Sequence, residues 1–332
     1  MKKYNVAILG ATGAVGMEMI KVLEERNFPV AELKLLASQR SVGKKIPFCG
    51  KDLSVCLAED SAFSGMDIVL GAAENDIAKK FAPAIVKAGA VFVDNSSAFR
   101  MCDDVPLVVP EINGDDAKKN NGIIANPNCS TIITLMALSG IAKLSKITSM
   151  VASTYQAVSG AGIGGFYELE QQTADVLAKK PIKPQVFKHQ IAFNLIPQIG
   201  GEAADGYTTE EMKLQNESRK IMHLPDLKAT CTCVRVPVMR SHSISVTVKT
   251  EEKLDIEKVK EAISKAEGCR LVDDLKNDVY PMPIDTSDQN TVFVGRVRRD
   301  LTDDNGITLW CCGDQVRKGA AENAVQIAEL LV

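Results

Sequence analysis

Net charge is nearly absent from this sequence: 39 Lys and Arg against 42 Asp and Glu leave −3 at neutral pH. Such a balance gives no global attraction to nucleic acid or to an anionic membrane, so an anionic ligand has to be held by local residues. Long apolar runs are also missing, and none reaches the length of a membrane span. The opening Met1-Lys2-Lys3 before Val6-Ala7-Ile8-Leu9 faintly resembles a secretory leader. Gly10, Gly13 and Gly16 soon dilute that run and no cleavage site follows, so it reads as a strand. Cysteines at C-x-x-C spacing do not occur. The nine present are an odd, scattered set, which excludes a disulfide framework and points to a reducing cytoplasm. Histidine is scarce, with three in the chain, so metal ligands are poorly supplied. Cys231 and Cys233 share one face of an expected strand and read as core, not as a metal site. Internal repeats and low-complexity tracts are absent as well.

What is present is the composition of an ordinary globular protein, 45% hydrophobic and 24% charged, in 332 residues. That length exceeds what one core usually sustains and predicts two domains. Tyr4 to Leu9 is a short β-type run, followed at once by Gly10-Ala11-Thr12-Gly13-Ala14-Val15-Gly16 and a helical pattern to about Arg26. Strand, glycine turn and helix is the setting of a dinucleotide-binding loop, where backbone N–H groups at a helix N-terminus meet a pyrophosphate. The spacing here is G-x-x-G-x-x-G, less specific than G-x-G-x-x-G. An NAD site places an acid near the end of the second strand. After Leu33 to Ala37 this chain has Ser38-Gln39-Arg40-Ser41 instead. A guanidinium flanked by hydroxyls suits a 2′-phosphate and favours NADP; the plain alternative is a solvated arginine. Strand patterns at 67–70, 90–93 and 122–125, with a helical pattern such as 78–87 between some of them, predict a doubly wound sheet. Arg100 follows the 90–93 strand at its carboxyl end, where open α/β sheets bind ligands; it is a candidate anion ligand or a surface ion pair.

The stretch Ala125-Asn126-Pro127-Asn128-Cys129-Ser130 leads into the apolar run Ile132 to Leu138. Pro127 keeps Asn126 out of the helical region, Asn128 is a good N-cap, and a helix is expected from Cys129. A thiol in the first turn meets unpaired N–H groups and the positive end of the helix dipole, which favour the nucleophilic thiolate. The alternative is an inert buried cysteine. Beyond it the pattern turns β-rich, from 147 to 157, and ends at Gln156 before the glycine-rich loop Val158 to Gly165, which contains Ser159 and Gly160. A helix is expected over 166–177, a loop over 179–187 and another helix from Thr208. Glu210 and Lys213 lie three apart there, as an ion pair or something more. Residues 231–249 read as two strands broken at Met239-Arg240-Ser241, with His242, Ile244, Val246 and Val248 on one face. A histidine so placed is usually a hydrogen-bonded core residue. A helix over 253–266, strands at 291–297 and 306–312, and a last helix over 316–331 after Gly313-Asp314-Gln315 complete the pattern.

In series these motifs closely resemble aspartate-β-semialdehyde dehydrogenases of the bacterial type. The resemblance runs from the Gly10–Gly16 loop through Asn126-Pro127-Asn128-Cys129-Ser130-Thr131, Ser153 to Gly162, Glu210-Glu211-Met212-Lys213 and Cys233 to Val238 to Lys318-Gly319-Ala320-Ala321-Glu322-Asn323. It implies an α/β fold. A Rossmann domain would span residues 1–128 and be rejoined by 313–332, whose helix returns to it, and an α+β catalytic and dimerisation domain would span 129–312. It implies NADP-dependent reductive dephosphorylation of L-aspartyl-4-phosphate to aspartate semialdehyde, on the route to lysine, threonine, methionine and diaminopimelate, by a cytoplasmic homodimer or higher homo-oligomer. Carried onto this chain, Cys129 is the nucleophile, His242 the acid/base with a near-neutral pKa, and Gln156 the residue that positions substrate and cysteine. Arg235 takes the α-carboxylate, Arg100 and Lys213 the phosphate, and Glu210 (or Glu211) the ammonium, with Asn128 beside them. Gly10, Thr12, Gly13, Ala14, Val15, Gly16, Ser38, Arg40, Ser41, Ser159, Gly160 and Gln315 line the cofactor, and no metal is implied. N-acetyl-γ-glutamyl-phosphate reductase shares the logic but has a Pro-Gly-Cys-Tyr-type segment where this chain has Pro127-Asn128-Cys129-Ser130. Glyceraldehyde-3-phosphate dehydrogenase has a Ser-Cys-Thr-Thr segment and the NAD-type acid. A non-catalytic NADP-binding paralogue would be expected to lose the cysteine or the histidine.

Overall fold

The computed structural model describes residues 2–332 and divides into two compact units: the chain up to Asn128 with Ala320–Val332, and Cys129–Gly319. In the first unit the apolar runs form β1 (Tyr4–Leu9), β2 (Val30–Ala37), β3 (Lys45–Phe48), β4 (Lys51–Leu57), β5 (Ile68–Gly71), β6 (Val91–Asp94) and β7 (Ile123–Ala125). The helices are α1 (Ala14–Glu25), α2 (Asn75–Lys87) and the short α3 (Pro110–Asn113). They build one seven-stranded sheet in the order β3-β4-β2-β1-β5-β6-β7, parallel except for the β3–β4 pair.

Period two along β1 divides its side chains between two cores. Val6 and Ile8 join Met19, Val22 and Leu23 of α1, whereas Ala7 and Leu9 join Phe81 and Ile85 of α2 with Phe63 and Phe92. A strand buried on both faces has to be continuously apolar, which is why 6–9 reads Val-Ala-Ile-Leu. Strand order reverses between β1 and β5, so the crevice for ligands opens at the carboxyl end of β1, where the glycine loop follows.

The β3–β4 hairpin was not foreseen. Its turn, Cys49-Gly50, has φ of 48° and 73°, a pair of positive values that a cysteine at the first position gives no hint of. The C-terminal helix α9 (Glu322–Glu329) packs Ala324, Val325, Ile327 and Ala328 into the α1-side core. Arg26, just after α1, clamps it through Glu322 at 2.5 Å and Glu329 at 2.6 Å.

The second unit is a six-stranded mixed sheet in the order β11-β12-β13-β10-β8-β9. In chain order it contains α4 (Cys129–Ala142), β8 (Ile147–Gln156), α5 (Ile163–Leu177), α6 (Thr209–Ile221), β9 (Lys228–Arg235) and β10 (His242–Thr250). Then follow α7 (Ile256–Ser264), β11 (Cys269–Leu271), α8 (Pro283–Thr286), β12 (Val292–Arg299) and β13 (Gly306–Gly313). Helix α4 is apolar on every side and buried from Ser130 to Ile141, as a helix enclosed by other elements must be. The opposite face of the sheet leaves Val151 and Tyr155 exposed, with Trp310 packed 5.5 Å from Tyr155.

Two expectations shift. The expected last helix, 316–331, is a π-turn over Arg317–Ala321 followed by α9. The return to the first unit comes at Ala320, not at 313, because Gly313 still pairs with His242 and Gln315 is bonded to Ser159 and Ser241 of the second unit.

Candidate active site

Three of the singled-out residues form one row across the second sheet. Gln156 ends β8 and pairs with Arg235, which ends β9. One step beyond the Ser243–Tyr155 pair, His242 opens β10 beside Gln156. All three point to the buried face, with relative exposures of 2%, 7% and 0%. Strand register alone therefore gathers a guanidinium, an amide and an imidazole that lie up to 86 positions apart in the chain, from 156 to 242.

The backbone N–H of Ala157 donates to His242 Nδ1 at 3.1 Å. A backbone donor leaves that nitrogen no choice but to accept, so the ring proton sits on Nε2. Nε2 is buried with no hydrogen-bond partner among the described residues. Burial, then the neighbouring Arg235 charge, pushes the imidazole from 6.5 down to about 3, against a weaker opposing pull from Glu210. In this structure His242 is therefore a neutral imidazole that presents its Nε2–H, with its pKa held below the near-neutral range expected from the sequence. Just before it, Ser241 holds a left-handed φ of 73°, pinned by Gln315 and by a 2.6 Å contact between its hydroxyl and Thr286. Strain of this kind needs surroundings that fix it, and it aims the start of β10.

Gly160 is where Arg235 and His242 converge. A Cβ there would lie 2.7 Å from Arg235 Nη1, close enough to push the guanidinium aside, and in ordinary contact with His242 Nε2 at 3.5 Å. Arg235 Nη1 donates to Ala157 O at 2.6 Å, and its guanidinium stands 5.9 Å from the centre of the Phe187 ring. Burial lowers the Arg235 pKa, while Cys129 and Glu210 raise it, which puts both within electrostatic reach. Glu210 accepts from Gln156 Nε2 at 3.3 Å and from Lys213 at 2.9 Å. The pair on α6 is thus part of the site as well as an i,i+3 ion pair. Glu211 is committed elsewhere: it closes a capping box with Thr208 at 2.7 Å and accepts the Cys233 N–H at 3.0 Å. Of the two, Glu210 is the carboxylate that faces Gln156 and Lys213.

Cys129 is the first residue of α4, after the buried Asn128. The π-turn brings Gly319 against it, where a Cβ would approach the Cys129 Cβ to 2.9 Å. A widened helical turn of this type is often found at functional sites. None of the nine cysteines is in a disulfide; Cys231 and Cys233 are buried with their sulfurs 3.7 Å apart.

The first unit holds most of the remaining residues. Gly10 takes φ of 91° under Ala72 O, and a Cβ at Gly16 would meet Gly10 O at 2.3 Å, so the helix starts tight on the turn. Gly13 caps α1 without a side chain, which leaves the first-turn N–H groups of Ala14, Val15 and Gly16 for an anion. Thr12 and Ser41 hydroxyls are 3.3 Å apart, beside Ser38 and an exposed Arg40 that forms no ion pair among the described residues. Arg100 is buried and donates to Asn126 O at 2.9 Å and Asn95 O at 2.8 Å. The fully buried Asp94 accepts from Ser96 and shapes the turn that carries Arg100; burial raises its pKa. Ser159 and Gln315, expected at the cofactor, belong to the second unit and bond to each other.

Two family descriptions match the chain: "Semialdehyde dehydrogenase, NAD binding domain" over residues 5–120 and "Semialdehyde dehydrogenase, dimerisation domain" over 138–318. Aspartate-semialdehyde dehydrogenase of Synechocystis is 50% identical across 99% of this chain and 97% of its own length. The chain belongs to the aspartate-semialdehyde dehydrogenase family. Family membership makes it an oxidoreductase of amino-acid biosynthesis. The Bacillus subtilis relative is 48% identical over 98% of this chain and 97% of its own. The crystal structure of aspartate semialdehyde dehydrogenase II of Vibrio cholerae, complexed with ASA, superposes with a TM-score of 0.97 at 46% identity, covering 100% of this chain and 98% of that one. No helix among the described residues is long and apolar enough to cross a membrane.

Proposed function

We propose that the chain reduces L-aspartyl-4-phosphate to aspartate semialdehyde, with NADPH as hydride donor and a thioester on Cys129. The observation that carries the reading is the convergence of Arg235, a neutral His242 and Glu210 in one buried cluster within electrostatic reach of a first-turn cysteine. Arg235 and the helix N-terminus favour the Cys129 thiolate, so no general base has to be found for it. The thiolate attacks the acyl carbon, the carbon–oxygen bond to phosphate breaks, and the one proton consumed overall ends on the departing phosphate. Bound NADPH supplies the hydride that takes the thioester to the aldehyde oxidation level.

Each step passes through an oxyanion: collapse of the first expels phosphate and leaves the thioester, and collapse of the second releases the aldehyde and returns the thiolate. His242 Nε2–H is suited to hold that oxyanion, as a donor fixed in place before the charge develops. Arg235 takes the α-carboxylate by its planar fork, Glu210 the ammonium, and Lys213 with Arg100 the phosphate. Gln156, tied to Glu210, positions the substrate against Cys129.

The glycine loop with its uncapped first turn fits a pyrophosphate, and Arg40 with Ser38 and Ser41 fits a 2′-phosphate, which favours NADP over NAD. A homodimer formed through the exposed sheet face fits the dimerisation-domain family, and a reducing cytoplasm would keep Cys129 reduced. The test is phosphate-dependent NADP reduction with aspartate semialdehyde against N-acetylglutamate semialdehyde. The first is turned over and the second is not; the reverse preference would overturn the substrate assignment.

A further inference from the structure

A long stretch without helix or sheet strand, residues 178–203, separates α5 from the capping turn of α6. Loops this long inside a compact domain are uncommon and usually functional. This one is held down by two buried side chains one turn apart on α5. The Glu168 carboxylate, 6% exposed, accepts from the backbone N–H groups of Gln185 at 3.1 Å, Val186, and Phe187 at 3.4 Å. Gln172, 3% exposed, accepts from Ile191 at 2.8 Å and Ala192 at 3.2 Å, and its Nε2 donates to Glu168 at 2.7 Å. A buried carboxylate is normally matched by a cation. Glu168 instead sits in a cradle of successive N–H groups, so its charge is spent on the position of the loop.

That loop reaches the site twice. Ile196 exchanges both backbone hydrogen bonds with Arg235, at 3.0 and 2.9 Å. Phe187 packs against the cluster that contains Val158, Leu169 and Ile191, and its ring stands 5.9 Å from the Arg235 guanidinium. An aromatic face orients a guanidinium without taking up its N–H donors, which a carboxylate partner would occupy and neutralise. A cavity of about 180 Å³ opens beside Arg235, lined among others by Phe187, Lys188, His189 and Gln198. Its size fits a small amino-acid derivative.

We infer that Glu168 and Gln172 are positioning residues that hold Phe187 against the Arg235 guanidinium, and that Phe187 thereby sets how tightly the site takes the substrate's carboxylate. The inference rests on the reading of Arg235 as carboxylate ligand. The test is steady-state kinetics in the phosphate-dependent direction on Glu168→Gln, Phe187→Leu, Phe187→Tyr and Arg235→Lys, with melting temperatures alongside. Phe187→Leu is expected to raise the KM for aspartate semialdehyde about fivefold, the size of a partly desolvated cation–π contact, with kcat and the KM values for phosphate and NADP within about twofold. Glu168→Gln gives the same selective signature, Phe187→Tyr restores the wild-type KM, and Glu168→Gln with Phe187→Leu is little worse than the more severe single variant, because both act through one contact. If Glu168→Gln or Phe187→Leu moves all three Michaelis constants together, or lowers only the melting temperature, the residues are structural and the inference fails while Arg235 keeps its role. If Arg235→Lys leaves both the aldehyde KM and turnover unchanged, the carboxylate assignment itself falls and takes the inference with it.

Discussion

At the residue scale, His242 is where the structure adds most to the sequence. Its type and its place on an apolar strand face point to an imidazole in the site, but its protonation depends on Ala157 N–H, a contact made between strand ends, and no local pattern carries that. Because Nδ1 must accept, a glutamine that offers an N–H at this position keeps part of the role and an alanine does not. His242→Ala should lower turnover by roughly 10²–10³-fold, the cost of one lost oxyanion donor, with His242→Gln clearly less impaired. The pH profile of kcat/KM should show no histidine limb near 6.5, since burial pushes this group down to about 3; such a limb, absent from His242→Gln, would contradict the assignment. The same shift links to stability. Between pH 6.5 and about 3 the unfolded chain binds a proton that the folded chain refuses, so stability is full above 6.5 and falls as pH drops through this window. His242→Gln should therefore lose less melting temperature than wild type between pH 7 and pH 4.

At the element scale, the apolar run of β1, the two-fold period of β10, the glycine turn and the start of α4 at Cys129 were legible, because each is written in neighbouring residues. The β3–β4 hairpin, the π-turn at Arg317–Ala321 and the Glu168–Gln172 clamp were not. Their causes are a positive φ at Cys49, packing of Gly319 on Cys129, and backbone groups some 19 positions away in sequence, from Gln172 to Ile191. Helix α6 shows how one motif divides its labour. Glu211 caps the helix and ties it to β9, whereas Glu210 turns to Gln156. Loss of a cap costs about 0.5–2 kcal/mol, and the second bond to Cys233 adds to it. Glu211→Ala should lower the melting temperature, with the KM for the aldehyde nearly unchanged once the protein is folded. Glu210→Ala should do the opposite, and a swap of the two phenotypes in a paired thermal and kinetic measurement would reverse the assignment.

At the scale of the whole molecule, the reading is of two units with separate tasks: a doubly wound sheet built for a dinucleotide and a mixed sheet whose strand ends build the chemistry. The exposed face of that second sheet, with Val151 and Tyr155, is the face we assign to the partner copy. Tyr155→Glu puts a charge there and should shift the protein toward monomer in sedimentation velocity; an unchanged association state would place the interface elsewhere. The central claim, however, is the thioester on Cys129, and one measurement reaches it directly. Aspartate semialdehyde and NADP are mixed with enzyme in the absence of phosphate, and NADPH formation is followed from the first milliseconds while quenched protein is mapped by peptide mass. Without phosphate to release it, the acyl group should remain on Cys129, with a burst of NADPH matched to the active sites, and Cys129→Ser should show neither. A burst with no adduct at Cys129, or an adduct on any other cysteine, would contradict the account.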